Sequence, residues 1–299
     1  VRILVTGSGG HVGGAIADEL TSSGHEVIGL GRRLTKRNRR LAGALVADIG
    51  HVGAAESLAS RQPRCDAIVH AAAALDKDNE SPAITLTNAL GTQQMLALAR
   101  AWDVASFVYI SGVTVIGMPQ RLPIDETHPT APLTAYHASK LFGEHLAAIA
   151  HHGGLPAVSL RLTAPVGPET PPGRILSVFV QRALAGEPLE LAGQGERRQD
   201  YVDVRDVAAA VQTCVTQSAT GLMNVGAGTS TSNLELARSC VEQLGSSSDI
   251  RLSGKPDPEE DRRWEVSIAH AQASIGYRPR HRLADSIAAV AEDLRGGGA

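Results

Sequence analysis

A tyrosine and a lysine stand four residues apart in YHASK, as Tyr136 and Lys140. On a helix that spacing puts both side chains on one face. A free phenol titrates near pH 10, so only about one in a thousand is ionised at pH 7. A neighbouring ammonium lowers such a group by about 1–3 pH units. Tyr136 can then act as general acid or base for a hydroxyl–carbonyl pair, while Lys140 also holds a ribose. Chemistry of this kind commonly has a third member, a serine or threonine. The expected place is position 112, within YISGVTVIG at 109–117, and it carries a glycine. Three substitutes are open: Thr114, Ser111 if the loop is shifted by one residue, or a water or substrate group.

Such a pair needs a redox partner, and the N-terminus carries a pattern that binds one. The stretch VTGSGGHVGGAIADEL follows an apolar run and opens a helical one. Gly7, Gly10 and Gly13 form G-x-x-G-x-x-G. One glycine permits a tight turn, one lets a pyrophosphate approach the backbone, and one lets the helix pack on the strand. The first helical residues, His11 and Val12, then present free N–H groups to the phosphates. After the second apolar run come Gly31, Arg32 and Arg33, and six of the ten residues 31–40 are basic. No carboxylate is there to bind ribose hydroxyls. A charge-assisted contact to a 2′-phosphate contributes roughly 1.5–3 kcal/mol. NADP is therefore expected over NAD.

The elements that must position these residues alternate. Apolar runs at RILVTG, HEVIGLG, GALVAD, CDAIVHAA and SFVYIS are separated by helical spacing, at roughly 11–23, 82–101 and 133–152. That pattern predicts an α/β fold, a Rossmann-type doubly wound parallel sheet. After Gly167 the chain is more broken. ILSVFVQRALAG, NLELARSCVEQL and LADSIAAVAEDL read as helices. RQDYVDVRDVAAAVQTCV reads as a short strand and a helix capped near Asp203 or Asp206. The expected division is a dinucleotide-binding domain at 1–167, rejoined by about 198–228. A smaller α/β C-terminal substrate lobe takes 168–197 and 229–299. RGGGA at the end reads as a frayed tail.

Bulk properties exclude several classes. The 299 residues are 43% apolar and 20% charged, as in a globular protein. No apolar window of 18 residues and no signal peptide is visible, so no membrane association is expected. Cys65, Cys214 and Cys240 have neither disulfide nor metal spacing, which points to the cytoplasm. A net charge of −3 gives no field for a nucleic-acid partner. His151 and His152 are adjacent and face different ways, so no metal site is expected.

The chain resembles the extended short-chain dehydrogenase/reductases of the NAD(P)-dependent epimerase/dehydratase family. The resemblance runs through TGSGGHVGG, ADI at 47–49, HAAA at 70–73, N-x-x-G-T at 88–92, YHASK, LRLTAPVGP at 160–168, GERRQDYVDVRDVA at 195–208 and NVGAG at 224–228. It implies that Asp48 and Ile49 flank the adenine. Ala71, Ala72 and Ala73 line the cofactor, Asn88 supports it, and Ser111 lies beside it. The implied substrate is a nucleotide-diphosphate sugar held by the C-terminal lobe, with Tyr136 moving the proton. Helices 82–101 and 133–152 are the implied contact of a homodimer.

Departures narrow the reading. Family members place the catalytic hydroxyl where Gly112 stands and a tyrosine where Ile116 stands. Dehydratases add an Asp–Glu pair at the positions of Val113 and Thr114, so 4,6-dehydration is not expected. A substrate-contacting asparagine becomes Ala164. A phosphate-contacting arginine becomes Gln199, with Arg197 and Arg198 before it and Arg262 and Arg263 further on. The expected activity is epimerisation by transient oxidation of a sugar hydroxyl, with Thr114 as the provisional hydroxyl. The alternatives are a 4-keto-sugar reductase, a reductase of a non-nucleotide ketone, and a non-catalytic NADP sensor.

Overall fold

The computed structural model describes residues 1–76 and 78–296. The apolar runs become β1 (Arg2–Thr6), β2 (Glu26–Gly31), β3 (Gly43–Val46), β4 (Ala67–His70) and β5 (Ser106–Gly112). Between them lie α1 (His11–Ser22), α2 (Ala54–Arg61) and α3 (Gly91–Trp102). A 3-10 turn, Val113–Ile116, follows β5, and α4 (Ala135–His152) leads into β6 (Ala157–Leu162) and β7 (Ala164–Val166). Then come α5 (Ile175–Ala185), β8 (Leu189–Leu191), β9 (Arg198–Gln199), β10 (Tyr201–Asp203), α6 (Val204–Gln217) and β11 (Gly221–Val225). The chain closes with β12 (Thr231–Ser232), α7 (Asn233–Leu244), β13 (Ile250–Leu252), α8 (Ala269–Ile275) and α9 (Leu283–Gly296).

Seven strands form one parallel sheet in the order β11-β6-β5-β4-β1-β2-β3. The fold is the Rossmann-type doubly wound sheet expected. Strand order reverses at β1, which pairs with β2 on one side and β4 on the other. A crevice therefore opens above the C-terminal ends of β1 and β4, where ligands bind in such sheets. Alternate residues serve the two faces. Ile3 and Val5 pack with α1, α6 and α8, whereas Leu4 packs with α2, α3 and α4.

Local chemistry sets the helix ends. Thr134 caps α4, its hydroxyl accepting the His137 N–H at 3.1 Å. Asp203 caps α6, and Ser232 and Glu235 form a capping box on α7. The helix expected at 82–101 is built from two pieces, a π-helical turn Ile84–Leu90 and then α3. The short helices α2 and α8 carry few large apolar residues, so spacing alone did not reveal them. Within 198–228, β9 and β10 pair with β12 and β7 rather than with the main sheet. Within 229–299, Ala271, Ile275 and Tyr277 join the core beneath that sheet. A separate core unites α5, α7 and α9. Arg295 and Gly296 complete α9, and the rest of the expected tail, 297–299, lies outside the described residues.

Candidate active site

Two of the cradle glycines, Gly7 and Gly13, are required sterically. Gly7 has φ +69°, and a Cβ there would lie 2.9 Å from Cα of Ala72. A Cβ on Gly13 would lie 2.3 Å from the Gly7 carbonyl oxygen. Gly10 donates its N–H to that same oxygen at 2.9 Å and begins the first turn of α1. Ala71–Ala73 are held against this turn by buried polar groups. Thr6 Oγ1 accepts the Ala72 N–H at 3.0 Å and lies 2.8 Å from Nδ1 of His70. Asn88 accepts the Ala74 N–H at 2.7 Å and donates to Ser139 Oγ at 3.0 Å, tying the loop to α4. Asp48 accepts the Gly50 N–H at 2.8 Å, and Ile49 is buried against α3.

His11 opens α1. Burial pushes its imidazole down to about 4, against the Pro168 carbonyl. Its Nε2 is buried with no partner among the described residues. A neutral ring with an orphaned nitrogen beside free helix N–H groups fits a dinucleotide phosphate. The basic run 31–40 divides in two. Arg37 folds over Gly14 and pairs with Asp18 and Glu169, both at 2.9 Å, so it is structural. Arg32 and Arg33 are exposed and make no ion pair among the described residues.

Lys140 is buried, with Nζ donating to the Ile110 carbonyl at 2.8 Å. It lies 5.1 Å from the ring centroid of Tyr109 and 6.0 Å from that of Tyr136. Burial pushes the amine down to about 8, opposed by Glu144. The expected lowering of Tyr136 is corrected by the structure. Burial pushes its phenol up to about 12, opposed by Arg174. Removing the phenolate from water outweighs the Arg174 charge, and the Lys140 ammonium is turned to Ile110. Tyr136 is therefore protonated at neutral pH, and its hydroxyl has no partner among the described residues.

The glycine at 112 is not demanded by the backbone. Its φ and ψ, −147° and 145°, are ordinary extended values. A Cβ would meet only Thr114 Oγ1 at 3.5 Å and the Leu162 oxygen at 3.8 Å. Ser111 is buried, and its hydroxyl proton is already engaged. Its hydroxyl donates to Glu144 at 2.6 Å, and Glu144 is clamped by Arg161 at 3.0 and 2.8 Å. Val113, Val115 and Ile116 bury themselves against Ile124, Trp264 and Val266. That anchoring leaves Thr114 half-buried, its hydroxyl without a partner among the described residues and beside the place of the missing side chain. Thr114→Val is expected to slow turnover about tenfold, the worth of one good hydrogen bond. Gly112→Ser in that background is expected to recover it. Full kcat in Thr114→Val removes Thr114 from the site.

The substrate-side residues are placed unevenly. Ala164 lies on β7, its N–H on the Asp200 carbonyl at 2.9 Å, and Gln199 is half-buried on β9. Arg197 is already paired, to Glu259 at 2.7 Å, and Arg198 pairs with Glu235 at 2.9 Å. Arg263 makes no ion pair among the described residues. Two residues went unnoticed in the sequence. Arg174, exposed at the start of α5, acts on both Tyr136 and His11 by its charge. Asp200 is buried and accepts from Thr163 at 2.9 Å, Ala227 at 2.7 Å and Gly228 at 2.9 Å. It thereby joins the LRLT, QDYVD and NVGAG stretches. No group of metal-ligating side chains exists among the described residues. No described helix is long and apolar enough to cross a membrane.

A switch-point cradle with a Tyr–Lys helix beside it defines an NAD(P)-dependent enzyme of the extended short-chain dehydrogenase/reductase type. Residues 3–226 match the NAD dependent epimerase/dehydratase family, and the chain belongs to it. The dTDP-glucose 4,6-dehydratase of Streptomyces niveus is 29% identical over 319 residues, covering 99% of this chain and 93% of that one. The UDP-glucose 4-epimerase of Thermotoga maritima, solved with UDP-glucose, superposes with a TM-score of 0.91 over 100% of both chains at 24% identity. The UDP-glucose 4-epimerase of Thermus thermophilus, solved with NAD, gives 0.86 over 99% of each chain at 27% identity.

Proposed function

We propose that this chain is a nucleotide-sugar epimerase that works by transient oxidation of a sugar hydroxyl, with Tyr136 as acid and base. The observation that carries this is the protonated Tyr136 hydroxyl, unpartnered among the described residues, beside buried Lys140 and next to a dinucleotide cradle. A dinucleotide held by the Gly7–Gly13 cradle would supply hydride exchange with the sugar carbon. Tyr136 gives and takes the hydroxyl proton, and Thr114 orients the same oxygen. The nucleotide sugars named for the relatives support the substrate class. Dehydration is disfavoured because Val113 is buried and apolar and Thr114 has no carboxylate, so elimination lacks its acid–base pair. A single-turnover trace of the reduced-nicotinamide band, with UDP- and dTDP-sugars and their 4-keto forms, tests this. A band that appears and decays marks an epimerase, and a flat trace across the panel refutes the reading.

The cofactor proposed is NADP. Arg32 and Arg33 stand free where the second strand ends, with no acidic residue in place. The Thermus neighbour was solved with NAD, whereas here NADP is expected to bind at least about tenfold tighter than NAD. Arg32→Ala with Arg33→Ala is expected to erase that margin, and equal affinities in the wild type sink NADP. The same free arginines favour a second reading, a 4-keto-sugar reductase that releases oxidised cofactor each turn. Steady loss of the reduced band is its signature. A homodimer is proposed from exposed Leu86, Phe142 and Ile149 on the π-turn and α4, and a monomer mass by light scattering removes it. The three buried, free cysteines support a reducing cytoplasm, which a disulfide in the native protein's mass spectrum refutes.

A further inference from the structure

Two arginines from separate segments converge on one carboxylate. Glu259 pairs with Arg197 at 2.7 Å and also with Arg262. One carboxylate does not satisfy both guanidinium groups. Nε of Arg197 and Nε of Arg262 are buried without partners among the described residues, as is Nδ1 of His137. The charges of Arg262 and Glu259 act on the His137 imidazole. Its ring stands edge-on to Tyr136, with centroids 5.8 Å apart. Arg262 also donates to the Met118 sulfur at 3.4 Å, just beyond the Thr114 turn. The cluster therefore joins the smaller lobe to the catalytic helix.

Loop closure does not require Glu259. The adjacent Glu260 accepts the N–H groups of Gln194 at 2.9 Å and Glu196 at 2.6 Å. Arg198 donates its N–H to the Arg262 carbonyl at 3.0 Å, and Trp264 donates to Arg198 at 3.2 Å. Those bonds fasten 194–198 to 260–264 without help. The side chains of Arg197 and Glu259 are 29% and 31% exposed, so their pair is accessible and contributes little net stability. A diphosphate offers more charge and more acceptor oxygens to the same two forks.

We propose that Glu259 is the resident counter-ion of the substrate's anion subsite, holding Arg197 and Arg262 in the empty enzyme and yielding them to the diphosphate of a nucleotide sugar. The inference rests on the nucleotide-sugar reading above. Glu259 then sets affinity by competing with the ligand, and His137 closes the subsite on the side of Tyr136.

Calorimetric titration of UDP and of dTDP into the full chain tests this. Glu259→Gln is expected to bind the preferred nucleotide roughly tenfold tighter than wild type. Glu242→Gln, the same charge change at an exposed site on α7, is expected to leave binding unchanged. Arg197→Gln is expected to bind roughly tenfold more weakly. If wild type binds and Glu259→Gln binds no tighter, Glu259 is structural and the proposal is overturned while the nucleotide-sugar reading stands. Undiminished binding by Arg197→Gln overturns it independently, even if Glu259→Gln fails to fold. Binding of neither nucleotide by any of the proteins overturns both readings together.

Discussion

Tyr136→Phe is expected to lower turnover by about 10²–10⁴-fold, the range that a positioned acid–base group contributes. The substitution removes one oxygen and little else. That hydroxyl makes no hydrogen bond among the described residues, so stability is expected to stay within about 0.5 kcal/mol of wild type. The ring keeps its edge-on contact with His137. Burial holds the phenol at about 12, so the acid form dominates at pH 7 and the base form is scarce. The ionised fraction rises about tenfold per pH unit below that value. The oxidative half-reaction, which needs the base, is therefore expected to accelerate from pH 6 to pH 8. The reductive half-reaction, which needs the acid, is not. Stopped-flow rates for each half-reaction check both statements. A Tyr136→Phe protein with wild-type turnover removes Tyr136 from the chemistry. One that has no turnover to lose but keeps its ligand response returns the sensor reading.

Arg161→Leu is expected to destabilise the protein by about 3–5 kcal/mol, the cost of breaking a buried ion pair from one side. The side chains of Arg161 and Glu144 are 4% and 7% exposed and meet at 2.8 Å. The variant strands a carboxylate in the core, with Ser111 as its remaining hydrogen-bond partner among the described residues. Glu144→Leu leaves the opposite charge stranded and is expected to cost a similar amount. Replacing both with leucine is expected to restore most of the loss, since an apolar pair carries no desolvation penalty. Denaturant unfolding of the three variants measures the cycle. A single-variant loss under about 1 kcal/mol would show that water reaches the pair. The pair also bears on the active site, because Glu144 lies one helical turn beyond Lys140 and supports its ammonium against burial. Stranding or removing Glu144 therefore alters the charge state behind Tyr136 as well as the fold.

Several features were legible before any coordinates, and each has a short-range cause. Gly7, Gly10 and Gly13 announced the cradle, and two of them are sterically demanded: Gly7 by a left-handed turn and a backbone approach of 2.9 Å, Gly13 by one of 2.3 Å. The strands of the sheet were visible because burial on both faces leaves them almost wholly apolar. Helix α4 was visible without its capping threonine, and the spacing of four placed Tyr136 and Lys140 on one face. Free arginines at the end of β2 were visible as a composition, although not as individuals. Nothing in GRRLTKRNRR distinguished Arg37, which folds onto Asp18 and Glu169, from Arg32 and Arg33, which do not.

Sequence order and residue type were enough to establish the fold class, the family and the Tyr–Lys pair, because those depend on local periodicity and on steric demands within a few residues. The direction of the Tyr136 shift, the engagement of Ser111 by Glu144, the half-burial of Thr114 and the convergence of Arg197 and Arg262 on Glu259 were decided by tertiary structure alone. Each depends on groups remote in the chain, 33 positions apart for Ser111 and Glu144, or on how much water the surrounding layers exclude. Neither quantity is written in the spacing of a motif. Burial and long-range contact exist only once the strands, helices and loops have closed on one another.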